Sequence, residues 1–200
     1  IDYTDRATCI IFGDGAGAVV LQPTQKENQG ILSTHLHSDG DSAEILAMYN
    51  PGTHANHWVT DPVAKFDEAE MGQMFMSHAM IDDAQNFPNM DGPSVFKKAI
   101  VKMPEVVHEA LTANGLTAAD INMLIPHQAN LRIAQFVQQK LQLRDDQVYN
   151  NIQKFGNTTA ASVPIALCEA WEQGKIKEGD LVCLAAFGSG FTWAGALIRW

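Results

Sequence analysis

Between positions 94 and 114 the apolar residues Val95, Phe96, Ala99, Ile100, Met103, Val106, Val107, Ala110 and Leu111 recur at three- and four-residue steps, which predicts an amphipathic helix. Ser94 stands where it can cap the start and Gly115 where it can end the helix, and Pro104 is expected to kink or break it. Downstream the pattern alternates. Residues 121–125 are a short continuous apolar run and predict a buried strand, and 131–141 predict an amphipathic helix capped by Asn130. Residues 148–152 predict a further strand, and 160–173 a helix that tolerates Pro164 near its beginning. Repeated β-loop-α units of this length put a mostly parallel sheet under covering helices.

The two ends of the chain share a pattern. Residues 8–12 and 18–22 are β-prone runs about Gly13-Asp14-Gly15-Ala16-Gly17, which predicts two strands around a tight glycine turn. Near the other end, 181–186 and 194–198 are apolar strands about Phe187-Gly188-Ser189-Gly190. The repetition predicts an internally duplicated α/β fold, with the last strands of a first half in 1–24 and a complete second half in 25–200. A first residue that is Ile1 rather than Met, followed by a strand with no earlier partner, fits a piece of a longer chain. Residues 48–90, rich in His, Asn, Asp, Met and Pro with a weak helical stretch at 64–80, read as an excursion from the core, a lid or an interface segment.

Composition narrows the classes. At 46% hydrophobic and 18% charged over 200 residues, the chain can bury a sizeable core, which excludes disorder and collagen. Its apolar runs fall well short of the roughly 20 residues a bilayer span needs, and no signal peptide opens it, so neither a membrane nor a secretory reading stands. A net charge of −10 repels phosphate backbones and argues against nucleic acid. Three cysteines, Cys9, Cys168 and Cys183, share no metal or disulfide spacing and fit a reducing cytoplasm.

Candidate chemistry gathers on three loops at carboxyl ends of predicted strands, where open α/β sheets place ligands: 126–130, 156–159 and 187–190. If those strands are neighbours, His127, Asn157 and the backbone of Ser189 converge on one sheet edge. A neutral imidazole N–H beside an Asn amide forms a two-donor hole for a developing oxyanion or enolate, and a glycine-flanked backbone N–H supplies another. The run from Gly13 to Gly17 lacks GxGxxG spacing and a following Lys-Ser/Thr, so it reads as a packing turn rather than a phosphate loop. His35 and His37 alternate onto one strand face and His54 and His57 lie in the excursion; no metal site is expected. Met71, Met74, Met76 and Met80 read as a flexible apolar face that fits an interface or an acyl tunnel, with plain core filling the favoured account.

Four strings together carry a resemblance: Phe12-Gly13-Asp14-Gly15-Ala16-Gly17-Ala18, Ile125-Pro126-His127-Gln128-Ala129-Asn130, Gly156-Asn157-Thr158 with Ala160-Ala161-Ser162-Val163-Pro164, and Phe187-Gly188-Ser189-Gly190-Phe191-Thr192-Trp193. In this order, from Asp5 to Trp200, the chain resembles β-ketoacyl-ACP synthase III, the initiating condensing enzyme of bacterial fatty acid synthesis. The resemblance implies a thiolase-like α-β-α-β-α sandwich, a homodimer, and a Cys-His-Asn triad in which His127 and Asn157 match the His and Asn. The nucleophilic cysteine belongs to the family's first half, and none of the three cysteines here stands in a matching context.

The implied chemistry is acylation of that cysteine by acyl-CoA, then decarboxylation of malonyl-ACP with His127 and Asn157 donating to the thioester oxygen, and attack of the carbanion on the acyl-cysteine. Acyl-CoA and malonyl-ACP enter as substrates, and no cofactor is implied. The family's acyl oxyanion hole falls on Ser189, whose Cβ narrows the pocket. Asn130, Gly92 and Phe187 match positions along the CoA and pantetheine channel. Arg132 and Lys97 match contacts to the acidic acyl carrier protein, with Lys98, Lys102 and Lys140 extending the patch. Chalcone-synthase-like and hydroxymethylglutaryl-CoA-synthase-like enzymes are the rival chemistries on the same fold, and a non-catalytic partner subunit is the rival class.

Overall fold

The computed structural model describes residues 1–48, 81–82 and 86–200. The weak helix at 64–80 with its methionines, His54 and His57 lie outside the described residues, as does most of the predicted excursion. Among the described residues six strands follow in chain order: β1 Gly30–Ser38, β2 Leu46–Ala47, β3 Asn89–Met90, β4 Met123–Pro126, β5 Leu181–Gly188 and β6 Thr192–Arg199. The α-helices are α1 Gly92–Ala113, α2 Leu131–Leu141, the single turn α3 Ile152–Phe155, and α4 Ser162–Glu172.

The main sheet has the order β1-β6-β5-β4, and β2 and β3 pair separately. Strand β5 is apolar throughout because both of its faces are covered, and its residues divide by parity. Leu181, Cys183, Ala185 and Phe187 join a core with Met103, Val107 and Leu111 of α1 and Val137 of α2. Val182 and Leu184 face the other way, with Ala166, Leu167 and Ala170 of α4. The period of two in the strand thus writes two helical layers, one on each side of the sheet, as a second half of the predicted sandwich requires.

The sheet is not mostly parallel. Only β4 and β5 pair in parallel, while β6 runs antiparallel to both β5 and β1. The cause is local: residues 189–191 return the chain directly from β5 into β6, and a turn that short can join only antiparallel strands.

Boundaries moved where side chains compete for the backbone. Helix α1 starts at Gly92 because Asp91, not Ser94, is its cap: the Asp91 carboxylate accepts the Ser94 N–H at 3.2 Å and the Ser94 hydroxyl at 2.6 Å, with a proline in the first turn. Pro104 neither breaks nor ends α1, which runs through it with the ring buried among core residues. Helix α2 is capped by Asn130 as expected, its side chain accepting the Arg132 N–H at 2.9 Å. Strands β5 and β6 extend to Gly188 and begin at Thr192, so Phe187 is a strand residue.

Among the described residues two predicted pairings do not form. Residues 148–152 make only one bridge, Val148 to Leu124, before turning into α3. The buried Gln128 side chain takes over there, its Oε1 accepting the N–H groups of Asn151 at 3.0 Å and Ile152 at 3.2 Å.

The glycine run is likewise no hairpin. Residues 8–11 are turn, Phe12 bridges in parallel to Asn157, and Val20 is 92% exposed in an extended stretch that joins no ladder among the described residues. The run lies along 155–164 instead. Gly13 donates to the Asn157 carbonyl and Asn157 to that of Ile11, each at 2.9 Å. A Cβ on Gly13 would fall on the Phe155 carbonyl, and one on Gly17 on the Pro164 ring. These glycines are there for close backbone approach, which fits the packing role read from the sequence. Gly13→Ala is therefore expected to destabilise the fold by about 1–3 kcal/mol through overpacking. Gly40→Ala, where an added Cβ meets nothing within 4 Å, should stay near neutral. Urea midpoints of the two variants decide it.

Candidate active site

His127 follows β4, and its main-chain N–H continues the parallel ladder to the Ala185 carbonyl at 2.8 Å. Asn157 follows α3, whose last turn closes on Gly156 at φ +68°, a left-handed conformation that glycine adopts without strain. Ser189 stands in the turn after β5. All three border a single cavity of about 1030 Å³, with Asn130, Phe187 and Trp193 on its other walls. The three loops do converge, though by a different route from the one inferred: β4 and β5 are adjacent and parallel, while Asn157 follows no strand and is held by its bridge to Phe12.

Each donor is tied back on its far side. The Thr159 N–H donates to Asn157 Oδ1 at 2.9 Å, and since an N–H cannot accept, this fixes the carboxamide with its NH₂ group as the end left for the cavity. His127 Nδ1 lies 2.6 Å from the Ser162 hydroxyl at the first residue of α4, leaving Nε2 for the cavity. Burial pushes the imidazole down from 6.5 to about 4, so the ring is neutral at neutral pH. A neutral N–H and an amide N–H₂ at one cavity wall can stabilise negative charge developing on an oxygen.

The other predicted residues divide. Asn130 lines the cavity with Oδ1 already accepting from Arg132, so its NH₂ remains available. Phe187 is buried on the wall, its ring 4.8 Å from that of Phe191. Gly92 does not line the cavity: it opens α1, and its neighbours Met90, Val95 and Phe96 form that wall instead. The Arg132 guanidinium lies 5.6 Å over the ring of Phe96, which lines the cavity, and exposed Lys97 is next to Phe96 on α1; neither Arg132 nor Lys97 lines the cavity itself.

Lys140 sits in the last turn of α2, about 12 Å from Arg132 along the helix at 1.5 Å per residue. Lys98 and Lys102 pair with Asp39 at 2.9 Å and Glu105 at 2.8 Å, which offsets part of the positive charge they would add to the patch. None of the cysteines lines the cavity, and the thiol of Cys183, sealed in the sheet core, is pushed up to about 12. His35 and His37 both bond Glu109, at 3.0 and 2.6 Å, and His37 also stacks on Trp193 at the cavity wall. Among the described residues no group of His, Cys, Asp and Glu is placed to hold a metal ion.

Sequence reasoning assigned no part to Gln128, Thr159 or Ser162. Gln128 and Ser162 stood in plain view inside the strings that carried the resemblance, but a backbone-satisfying amide and a hydroxyl at a helix start look alike in any sequence.

Residues 111–200 match the family described as 3-oxoacyl-[acyl-carrier-protein] synthase III C terminal, and residues 1–40 match the one described as 3-oxoacyl-[acyl-carrier-protein] synthase III. The chain belongs to the synthase III family. It is 44% identical over 203 residues to a synthase III of Rhodospirillum centenum, covering 100% of this chain and 54% of the relative. The synthase III of Xanthomonas campestris is 45% identical with the same coverage. The chain thus spans about half the length of the curated synthase III relatives it matches. Among solved structures, the Pseudomonas aeruginosa PAO1 synthase III superposes with a TM-score of 0.80 at 36% identity, over 100% of this chain and 54% of that one. That of Aquifex aeolicus VF5 gives 0.78 at 36%, over 98% and 52%. These neighbours have the thiolase fold, and the layers described above are part of it.

The depressed imidazole carries a stability signature. The unfolded ring binds its proton near 6.5 and the folded ring only near 4, so the full contribution is present above pH 6.5 and is lost as pH falls toward 4, about 3 kcal/mol in all. Replacing His127 with Asn should flatten that part of the acid limb, as measured by urea unfolding from pH 7 to 4.

Proposed function

We propose that this chain is the C-terminal part of a β-ketoacyl-ACP synthase III, which condenses an acyl-CoA primer with malonyl-ACP in fatty acid biosynthesis. One observation carries the proposal: His127 and Asn157 border the same cavity, each with its far side tied back so that a nitrogen remains for a ligand oxygen. In the proposed reaction a cysteine of the family's first half, as a thiolate, displaces CoA from the primer thioester and becomes acylated. Malonyl-ACP then enters and its C–CO₂ bond breaks. The electron pair is held as an enolate whose oxygen accepts hydrogen bonds from His127 Nε2–H and Asn157 Nδ2–H. That carbanion attacks the acyl-cysteine carbonyl, the tetrahedral oxyanion is held by backbone N–H groups that include Ser189, and the thiolate leaves.

Asn130 supports the pantetheine arm with its free NH₂ group, and Phe187 bounds the channel. Arg132 and Lys97 beside Phe96 attract the acidic carrier protein to a chain whose net charge of −10 otherwise repels it. The reaction needs no cofactor, since both thioesters arrive activated. The whole enzyme is a homodimer of the cytoplasm in this reading. Among the described residues no helix is long and apolar enough to cross a membrane.

In the complete enzyme, His127→Ala and Asn157→Ala should each lower malonyl-ACP decarboxylation about 10²- to 10³-fold. Acylation of the cysteine by acyl-CoA should stay within a few-fold of wild type, because only the enolate needs both donors. Release of labelled CO₂ and the intact mass of the acylated protein separate the two steps, and unimpaired decarboxylation in either variant rejects the proposal.

Docking has its own test. Arg132→Glu with Lys97→Glu should raise the KM for malonyl-ACP about 10-fold or more while that for acyl-CoA moves little. Lys140→Glu should do less, since it lies about 12 Å from Arg132 along α2, beyond a Debye length of about 8 Å at 0.15 M salt. Steady-state kinetics at two salt concentrations measure it, and equal effects on both substrates would show an ordinary solvated face.

A further inference from the structure

We infer that Ser162 is a positioning residue for His127: its buried hydroxyl donates to Nδ1 and thereby holds the imidazole as the tautomer that carries its proton on Nε2, toward the cavity. The inference deepens the function proposed above and rests on it for its consequence in catalysis, though not for its geometry.

Ser162 is only 1% exposed, so its hydroxyl has no water to turn to and must satisfy itself within the protein. Two groups stand within reach. The main-chain N–H of Gln128 lies 3.3 Å from Oγ and His127 Nδ1 lies 2.6 Å from it. A hydroxyl has one proton to give and two lone pairs to receive with. The Gln128 N–H can only donate, so it takes a lone pair. The serine proton then needs an acceptor, and among the described residues Nδ1 is the one within hydrogen-bond distance. Were Nδ1 protonated instead, two donors would converge on Oγ and the serine proton would be left buried with no acceptor, at the cost of an unmade hydrogen bond.

The ring's surroundings complete the logic. Burial keeps the imidazole neutral, so it carries one proton, and if that proton is not on Nδ1 it is on Nε2. Ser162 is also held firmly in place. It is the first residue of the 11-residue α4, it follows a tight turn over Thr159–Ala161, and the same turn supplies the N–H that orients Asn157. A single backbone segment, 157–162, therefore carries one donor to the cavity and sets the protonation of the other. Without the hydroxyl, both tautomers become accessible, and in the wrong one a ring lone pair would face the enolate oxygen.

The test uses the complete natural polypeptide. Imidazole ¹⁵N spectra, with the His127 signals assigned by their loss in His127→Asn, should show the Nε2–H tautomer in wild type and a mixture or the opposite tautomer in Ser162→Ala. Malonyl-ACP decarboxylation by Ser162→Ala should lose about 10-fold or more in kcat with KM little changed, bounded by the 10²- to 10³-fold expected for losing the donor outright. Ser162→Thr, which keeps a hydroxyl, should restore the wild-type spectrum and most of kcat, an outcome that loss of packing alone would not produce. An unchanged His127 spectrum in Ser162→Ala, or decarboxylation at the wild-type kcat, overturns the assignment. If wild type fails to decarboxylate malonyl-ACP, the functional reading falls, while the spectra still decide whether Ser162 sets the tautomer.

Discussion

The architecture around the cavity depends on one buried carboxamide. Gln128 is 3% exposed, and its two ends serve four backbone groups: Nε2 donates to the carbonyls of Pro126 and Tyr149, and Oε1 accepts from Asn151 and Ile152. These groups lie on the last residue of β4 and along 149–152, where the described residues supply no further strand to pair with them. Left bare, each buried polar group would cost about 1–3 kcal/mol, so the amide does for this corner what a ladder does elsewhere. Its position also couples three loops. Gln128 follows His127 directly, its own N–H goes to Ser162, and its Oε1 sets the start of the turn that runs into Gly156 and Asn157. The site is thus held together by backbone satisfaction rather than by contacts between His127 and Asn157 themselves.

A second constraint comes from the glycine-rich segment. Asn157 exchanges two main-chain hydrogen bonds with Ile11 and Gly13, and an approach that close leaves no space for a Cβ at Gly13. Gly15 against Thr158 and Gly17 against Pro164 extend the contact along the same run. Overpacking a rigid seam displaces backbone, and the backbone here carries a hydrogen-bond donor to the cavity, so a methyl group in 13–17 acts on the site through position rather than chemistry.

Much of this was legible in the sequence, and the exceptions have physical causes. Helix α2 and its Asn130 cap match the reading because local periodicity and a side-chain cap agree. The cores of β5 and β6 were found because their apolar runs are flanked by glycine. His127 and Ser189 share an edge because β4 and β5 are neighbouring parallel strands, whereas Asn157 reaches the same cavity from a helical turn that the predicted strand at 148–152 did not foresee. The failures are non-local or degenerate. A glycine run between β-prone stretches predicts a hairpin equally well whether its glycines turn the chain or let another backbone approach, and only the partner segment at 155–164 tells the two apart. The direction of β6 depends on the shortness of the turn before it, which outweighs the β-loop-α rhythm upstream. The pairing of Lys98 with Asp39, fifty-nine residues away, is likewise invisible in the sequence.

The electrostatics of the cavity also favour one way of making a carbanion over another. Withdrawing a proton next to a thioester requires a base with a lone pair turned toward the substrate, and in the tautomer inferred above, with Nδ1 engaged by the Ser162 hydroxyl, His127 turns an N–H rather than a lone pair to the cavity. Asn157 has no basic atom to offer. What remains is a pair of neutral donors in a place of low dielectric, where hydrogen bonds to a developing oxyanion are stronger than in water and need no reorganisation when the charge appears. Such a site stabilises an enolate well but generates one by proton removal poorly. A substrate that brings its own electron pair, released by breaking a C–CO₂ bond, suits these donors; one that must first be deprotonated does not. The same desolvation that keeps His127 neutral makes the fold sensitive to acid, so the burial of this ring bears on the cavity's donors and on stability together.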